Sequence, residues 1–448
     1  MTPARRKRIR QLLWLYFWLL IFEGALRKWI LPGLSNPLLL VRDPIALVAL
    51  WWGWPLLSRR PWWGWIQPLF LIGLIAFVLA ITVGHGDLPT ALYGARVLLL
   101  QFPLIFLFGA VFDRSDVIRF AWTFLWLSIP MSVLIATQSS LPESHILNVG
   151  PGGQGTAVFT GALDRFRPPG TFTFITGVSS FFGLAAASLL LLLYGRPLSL
   201  RERLFCAAAG IALVVAVPVS ISRSLLAGYL TVLAAVAVAL VLSRTRLTSL
   251  FAGLLAVALA VALATTVPAF QNTSEAFIAR WDAAGQNSGA DREVVGDVGV
   301  ATNQVLTRIL QGLTTPLANL GDLPVLGYGI GMGTNVGSQR LSGDLTFLVG
   351  EVSWEASLGE LGVPLGLAFI LWRVALALWL FRLAFKAAVG GNRIPFILLG
   401  DSLLAVMTAQ ISQPTSLGFI VLSGGLTLAA LNPGTGQISN MEAYVAKK

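Results

Sequence analysis

The side chains of this sequence that could do chemistry are its arginines and carboxylates. Cys206 is the only cysteine, and His85 and His145 are the only histidines. No disulfide within the chain, no cysteine cluster and no multi-histidine metal site is possible, so metal chemistry would fall to carboxylates. Arg27, Lys28, Arg42, Arg96, Arg165, Arg167 and Arg223 interrupt or flank apolar runs, and Arg280, Arg292, Arg308 and Arg340 lie in one long polar stretch. A guanidinium presents a planar fork of donors that matches phosphate oxygens two at a time. Several of them converging would hold a phosphate or pyrophosphate, and a carboxylate beside them could take a proton from an attacking hydroxyl. Local pairing is the competing expectation for each one: Arg42 with Asp43 or Glu23, and Arg165 with Asp164.

The elements that must position these groups are membrane helices. Of the 448 residues 56% are hydrophobic and only 11% charged, against about 25% charged in soluble domains. So few charges cannot cover so much apolar surface in water, whereas lipid solvates it directly. Apolar runs of spanning length fall at 11–31, 37–57, 63–83, 91–112, 117–137, 171–194, 204–220, 224–242, 247–267, 359–381, 394–411 and 415–431. They predict an all-α polytopic membrane protein with about 12 transmembrane helices. The opening Arg5-Arg6-Lys7-Arg8 before an apolar run looks like a signal peptide. No small-residue cleavage pattern follows it, so it reads as an uncleaved first helix.

Charge sets the orientation. The net charge of +11 could mean nucleic acid binding. Most of the basic residues, however, fall in alternate short loops between spans, where cytoplasmic positive charge orients a membrane protein. With the N-terminus in the cytoplasm every inner loop holds at least two, and the C-terminus is also inside. Trp51, Trp52, Trp54, Trp62, Trp63 and Trp65 around Arg59 and Arg60 fit an interfacial belt. The chain then reads as one membrane domain, 1–448, with a Gly/Pro-rich outer loop at 138–170. A large outer (periplasmic) loop at 268–358 separates spans 9 and 10. Within it Val305, Ile309 and Leu313 repeat at helical spacing, which suits an amphipathic helix on the membrane surface or a packed helix of a small cap. The cations named above all map to the outer side.

Short glycine motifs carry little. Gly327-Tyr-Gly329-Ile-Gly331 lacks the strand context of a dinucleotide fingerprint, and Pro151-Gly-Gly-Gln-Gly155 lacks the Gly-Lys-Ser/Thr of a P-loop. Gly109-Ala-Val-Phe-Asp113-Arg114 is a brief match to a major-facilitator loop motif, in the wrong loop.

Four ordered blocks carry a family resemblance. They are Arg165-Phe-Arg167-Pro-Pro-Gly170-Thr-Phe172, Ser220-Ile-Ser222-Arg223-Ser224, Arg308 with Pro324-Val-Leu-Gly327-Tyr-Gly329-Ile-Gly331, and Glu351-Val-Ser-Trp-Glu355-Ala-Ser-Leu-Gly-Glu360-Leu-Gly362. In order, spacing and topology this C-terminal two thirds resembles the O-antigen ligase and polymerase superfamily. The stretch from Glu23 to Trp29 lies outside the match. The resemblance implies metal-independent, cofactor-free glycosyl transfer at the outer face of the bacterial inner membrane. The donor would be a glycan on undecaprenyl pyrophosphate, and the acceptor a hydroxyl of a glycolipid or glycan; no nucleic acid is involved. It places the pyrophosphate on Arg167 and Arg223, and charge and side extend that role to Arg96, Arg308 and Arg340. Where ligases of the family carry a histidine this chain has Glu351, so Glu351 or Glu355 is the expected general base. A transporter or flippase of an envelope precursor, without chemistry, is the alternative, and an envelope scaffold the third.

Overall fold

A backbone surrounded by lipid must satisfy its own polar groups, and helices do so within one segment. The computed structural model describes residues 2–59, 61–153, 166–244, 320–343 and 353–433, together with Thr314, Pro316, Ala318 and Val349. Among the described residues there is no strand, and nine helices are long and apolar enough to cross a membrane. Two shorter apolar helices, Ile394–Thr408 and Pro414–Ala429, accompany them. The chain is therefore an all-α polytopic membrane protein. The span expected at 247–267 and the amphipathic helix expected around Val305–Leu313 lie outside the described residues, as do Arg165, Arg280, Arg292, Arg308 and Glu351.

In chain order the helices are α1 (Pro3–Ala25, continued by a π turn Leu26–Ile30), α2 (Asp43–Leu57) and α3 (Trp63–Thr82). Then come α4 (Leu88–Val111, with a π segment at Val97–Gln101) and α5 (Arg114–Ser140). The bundle continues with α6 (Ile175–Gly195), α7 (Leu200–Ser220) and α8 (Arg223–Leu242). A short α9 (Asn335–Ser342) precedes α10 (Ser353–Val389), α11 (Ile394–Thr408) and α12 (Pro414–Ala429). Local signals set several starts. Asp113 and Ser199 each form a reciprocal capping box with the residue three further on, Asp116 and Glu202. Proline in the first turn opens α2, α11 and α12. The expected span 37–57 falls within the spanning unit Pro32–Leu57, in which a 3-10 turn (Pro32–Leu34) and one short helical turn (Ser35–Leu38) lead into α2.

Interior packing is dense and aromatic. Phe17, Phe108, Phe112, Phe120 and Phe124 meet mostly edge to face where α1, α4 and α5 touch. α12 runs through the middle, buried from Ser416 to Ala429.

Basic side chains gather at both ends of the bundle. At one end Arg6 and Arg10 donate to the Val111 carbonyl, Arg114 to that of Gly195 and Arg393 to that of Tyr194, while Asn432 donates to Gly109 and Phe112. The described chain thus begins and finishes at the same end. At the other end lie Arg27, Lys28, Arg42, Arg96, Arg167, Arg223 and Arg340, together with the turns that follow α3, α5 and α7.

α10 holds the largest departure from the expected spans. Helix begins at Ser353, not near 359, and Gly362 has φ 78° and ψ 166°. In an unbroken helix Ser353 and Arg373 would stand about 30 Å apart, yet Arg373 Nη1 donates to Ser353 Oγ at 2.8 Å. Leu358 also packs beside Gly366 and, with Trp354, against Ile370. Residues 353–361 are therefore a half-helix that rises antiparallel to 363–389 and turns over at Gly362. Hydropathy does not display this, since 353–361 reads as the polar end of the outer loop and the break is one glycine.

Candidate functional site

The end with the seven cations is where the sequence blocks meet. The first block is pinned from three sides. Lys28 Nζ donates to the Gly170 carbonyl at 2.6 Å, the Gln138 side chain accepts from Gly170 N at 2.8 Å, and Thr171 Oγ1 donates to the Ile21 carbonyl at 2.7 Å. Gly170 has φ +60° and Gly24 lies directly against the Thr171 carbonyl, so neither position has room for a side chain. Arg167, three residues upstream and half-buried, is held at this wall.

The second block forms the turn from α7 to α8. Ile221 has φ 49°, a left-handed conformation costly for a β-branched residue. The turn delivers Ser222 as N-cap of α8 and Arg223 as its first residue. Ser222 Oγ and Ser179 Oγ of α6 are 2.8 Å apart, and Thr176 Oγ1 donates to Gln413 Oε1 at 2.8 Å. The N-termini of α6, α8 and α12 thereby come together. A helix N-terminus carries outward N–H groups and a positive partial charge, which favour an anion. α6 and α12 start without a side-chain cap, so their first N–H groups are not taken up by one.

Several of the cations are already paired. Arg42 Nε donates to Glu23 at 2.8 Å, and its other nitrogens reach Tyr16 Oη and the Pro414 carbonyl. Arg27 lies 3.7 Å from the same Glu23, one turn along. Arg96 pairs with Asp43 at 2.9 Å and stacks over Tyr93, while Gln101 bonds to both Asp43 and Tyr16. Of the pairings the sequence left open for Arg42, Glu23 is the one formed. This network contains Glu23 and Arg27 and joins α1, α2 and α4 to the start of α12.

Arg340 is placed differently. It is half-exposed on α9 and bonds Asp87, the N-cap of α4, at 2.9 Å and 3.0 Å. The Arg340 guanidinium and the Thr90 hydroxyl hold the Asp87 carboxyl well below the usual carboxylate range. Asp87 in turn raises Arg340 further. Arg96 and Arg340, both expected on the pyrophosphate, thus face carboxylates. Arg223 opens α8 at the adjoining helix N-termini, and Arg167 lies in the block that leads into α6.

The third and fourth blocks interlock. Tyr328 N and Gly329 N donate to the carbonyls of Gly359 and Glu360 at 2.8 Å and 3.1 Å. Gly327 and Gly362 lie backbone to backbone there, both with positive φ. Beneath them a cleft opens between residues 353–361 of α10, α4 and the unwound segment 410–412. Glu360 lines it, and its Oε1 accepts from Gly333 N at 2.6 Å. Glu355, one of the two expected bases, sits on the half-helix but not among the residues lining the cleft.

Sequence reasoning passed over Arg373, which sits inside a span and is fully buried. It donates to the carbonyls of Val406 and Ala409 at the C-terminus of α11, both at 2.8 Å, as well as to Ser353. A cation there meets the negative end of a helix dipole. α11 stops short, 409–413 is unwound, and α12 restarts at Pro414. A lone arginine in an apolar run was the available signal, without its partners. No protein-family model matches the chain, and no curated protein is significantly similar to it.

Proposed function

We propose that this chain transfers a glycan from undecaprenyl pyrophosphate to an acceptor hydroxyl at the outer face of the bacterial cytoplasmic membrane, as O-antigen ligases and polymerases do. One observation carries the reading. Described residues of the four blocks lie at the bundle end opposite the basic short loops, the end at which the N-termini of α6, α8 and α12 adjoin. In this reading that end faces the periplasm, and both termini face the cytoplasm. The donor's isoprenoid tail stays in the bilayer, and its diphosphate lies against Arg167, Arg223 and the starts of α6, α8 and α12. The acceptor oxygen bonds to the anomeric carbon as the bond from that carbon to the diphosphate oxygen breaks. The cations and N–H groups stabilise the charge on the departing undecaprenyl diphosphate.

The test is Arg223→Ala and Arg167→Ala in the native host, scored by surface glycan against membrane protein level. Loss of glycan at normal protein level, with the lipid-linked donor accumulating, is expected. Wild-type glycan in both variants overturns the reading. The broken helices α10, α11 and α12 favour a second reading, because discontinuous helices line the sites of many transporters. It is passage of an envelope precursor without chemistry, and it requires movement of a labelled lipid-linked precursor in proteoliposomes with no new bond.

A further inference from the structure

At the site end, Glu23, Asp43 and Asp87 are each committed to arginines. Glu360 belongs to none of the ion pairs among the described residues, and it lines the open cleft. Ser353, Ala356, Ser357, Glu360 and Leu361 line it together. Those positions are i, i+3, i+4, i+7 and i+8, one face of a helix. Glu355 falls outside that set. The face is graded, with small hydroxyls deep and the carboxylate at the outer tip. Gly333 fixes the carboxylate, since its N–H bonds Oε1 and it has no side chain to hold the two apart. The opposite wall is the unwound segment of Gln410, Ile411 and Ser412. That segment continues into Gln413 and Pro414, which touch Thr176 and Arg42. A single length of unwound chain therefore separates the carboxylate in its cleft from the helix N-termini and Arg223.

Resting on the glycan-transfer reading, we propose that Glu360 is the carboxylate that accepts the acceptor's proton, and that the cleft under Gly327–Gly331 is where the acceptor hydroxyl enters. The hydroxyl oxygen forms the new bond to the anomeric carbon. Its proton passes to Glu360, and the electron pair of the broken carbon–oxygen bond leaves on undecaprenyl diphosphate. No metal or redox partner is needed for the balance.

The experiment compares wild type, Glu360→Gln and Glu360→Asp as full-length protein. Undecaprenyl diphosphate binding is measured in nanodiscs, melting in the same nanodiscs, and transfer in membranes of the native host, which supply donor and acceptor. Glu360→Gln is expected to melt and bind as wild type while transfer falls about a hundredfold, with Glu360→Asp recovering part of it. The wild-type rate should fall on acidification as the base is protonated, and the residual rate of Glu360→Gln should lose that fall. Near-normal transfer by Glu360→Gln overturns the proposal. So does a loss explained by lower melting with an unchanged pH profile, which would make Glu360 only a clamp on the glycine loop. If wild type neither binds undecaprenyl diphosphate nor transfers glycan, the glycan-transfer reading itself fails and this proposal with it. Normal binding and transfer in both wild type and Glu360→Gln removes Glu360 alone.

Discussion

At the residue scale, burial decides what each charge is worth. Glu23 is almost fully buried between Arg42 and Arg27, whereas Asp87 and Arg340 stand partly in solvent. Breaking a buried pair strands a charge and costs about 3–5 kcal/mol, while exposed pairs contribute about 0–1 kcal/mol. Glu23→Gln is therefore expected to lower the melting temperature in detergent far more than Asp87→Asn, and equal losses would contradict this ranking. The Asp87 tie has a definite pH dependence. Because its folded pKa is depressed, its contribution is complete above the ordinary aspartate value of about 3.9 and is lost as pH falls through the lowered one. Protection factors in α9, taken after correcting amide exchange for its intrinsic pH dependence, should be unchanged from neutral to mildly acidic pH and drop only below that. Arg373→Leu removes donors from the Val406 and Ala409 carbonyls and from Ser353 together. A loss of about 2–4 kcal/mol is expected, seen as a lower melting temperature, with Arg373→Lys in between.

At the scale of elements, the hairpin of α10 depends on one backbone conformation. A Cβ at Gly362 would strike the Val325 carbonyl, and φ 78° is unfavourable for any L side chain. Gly362→Ala should detach the glycine loop from the helix tip and uncover the cleft. Limited proteolysis near Pro324–Gly331 should then accelerate, with the other helices still protected. The cap of α7 is a gentler case. Ser199→Ala removes the acceptor for Glu202 N and half of a capping box, which costs about 1 kcal/mol and leaves the distant cleft intact. Neither outcome needs a functional assay.

At the scale of the whole molecule, the sorting of cations between the two ends makes orientation measurable. Cys206 is the only cysteine, so Cys206→Ser gives a cysteine-free background. Ser58→Cys and Ser342→Cys then place exposed thiols at opposite ends. With the proposed topology an impermeant maleimide labels Ser342→Cys in intact spheroplasts and Ser58→Cys only after permeabilisation. The reverse pattern would put the end that carries Arg167 and Arg223 in the cytoplasm and remove the basis for a periplasmic donor.

The sequence by itself determined what composition and short-range spacing control. Scarce charge and long apolar runs require membrane helices. Alternating basic loops separate one end from the other. These are local or additive properties, so they survive without coordinates. Tertiary structure decided everything that depends on which helix lies beside which. It chose Glu23 over Asp43 for Arg42, set Asp43 against Arg96, and gave Arg373 the end of α11. It folded 353–361 back so that Glu360, and not Glu355, lines the cleft. Each of those outcomes turns on a contact between residues far apart in the chain, or on one glycine torsion, and neither leaves a trace in hydropathy.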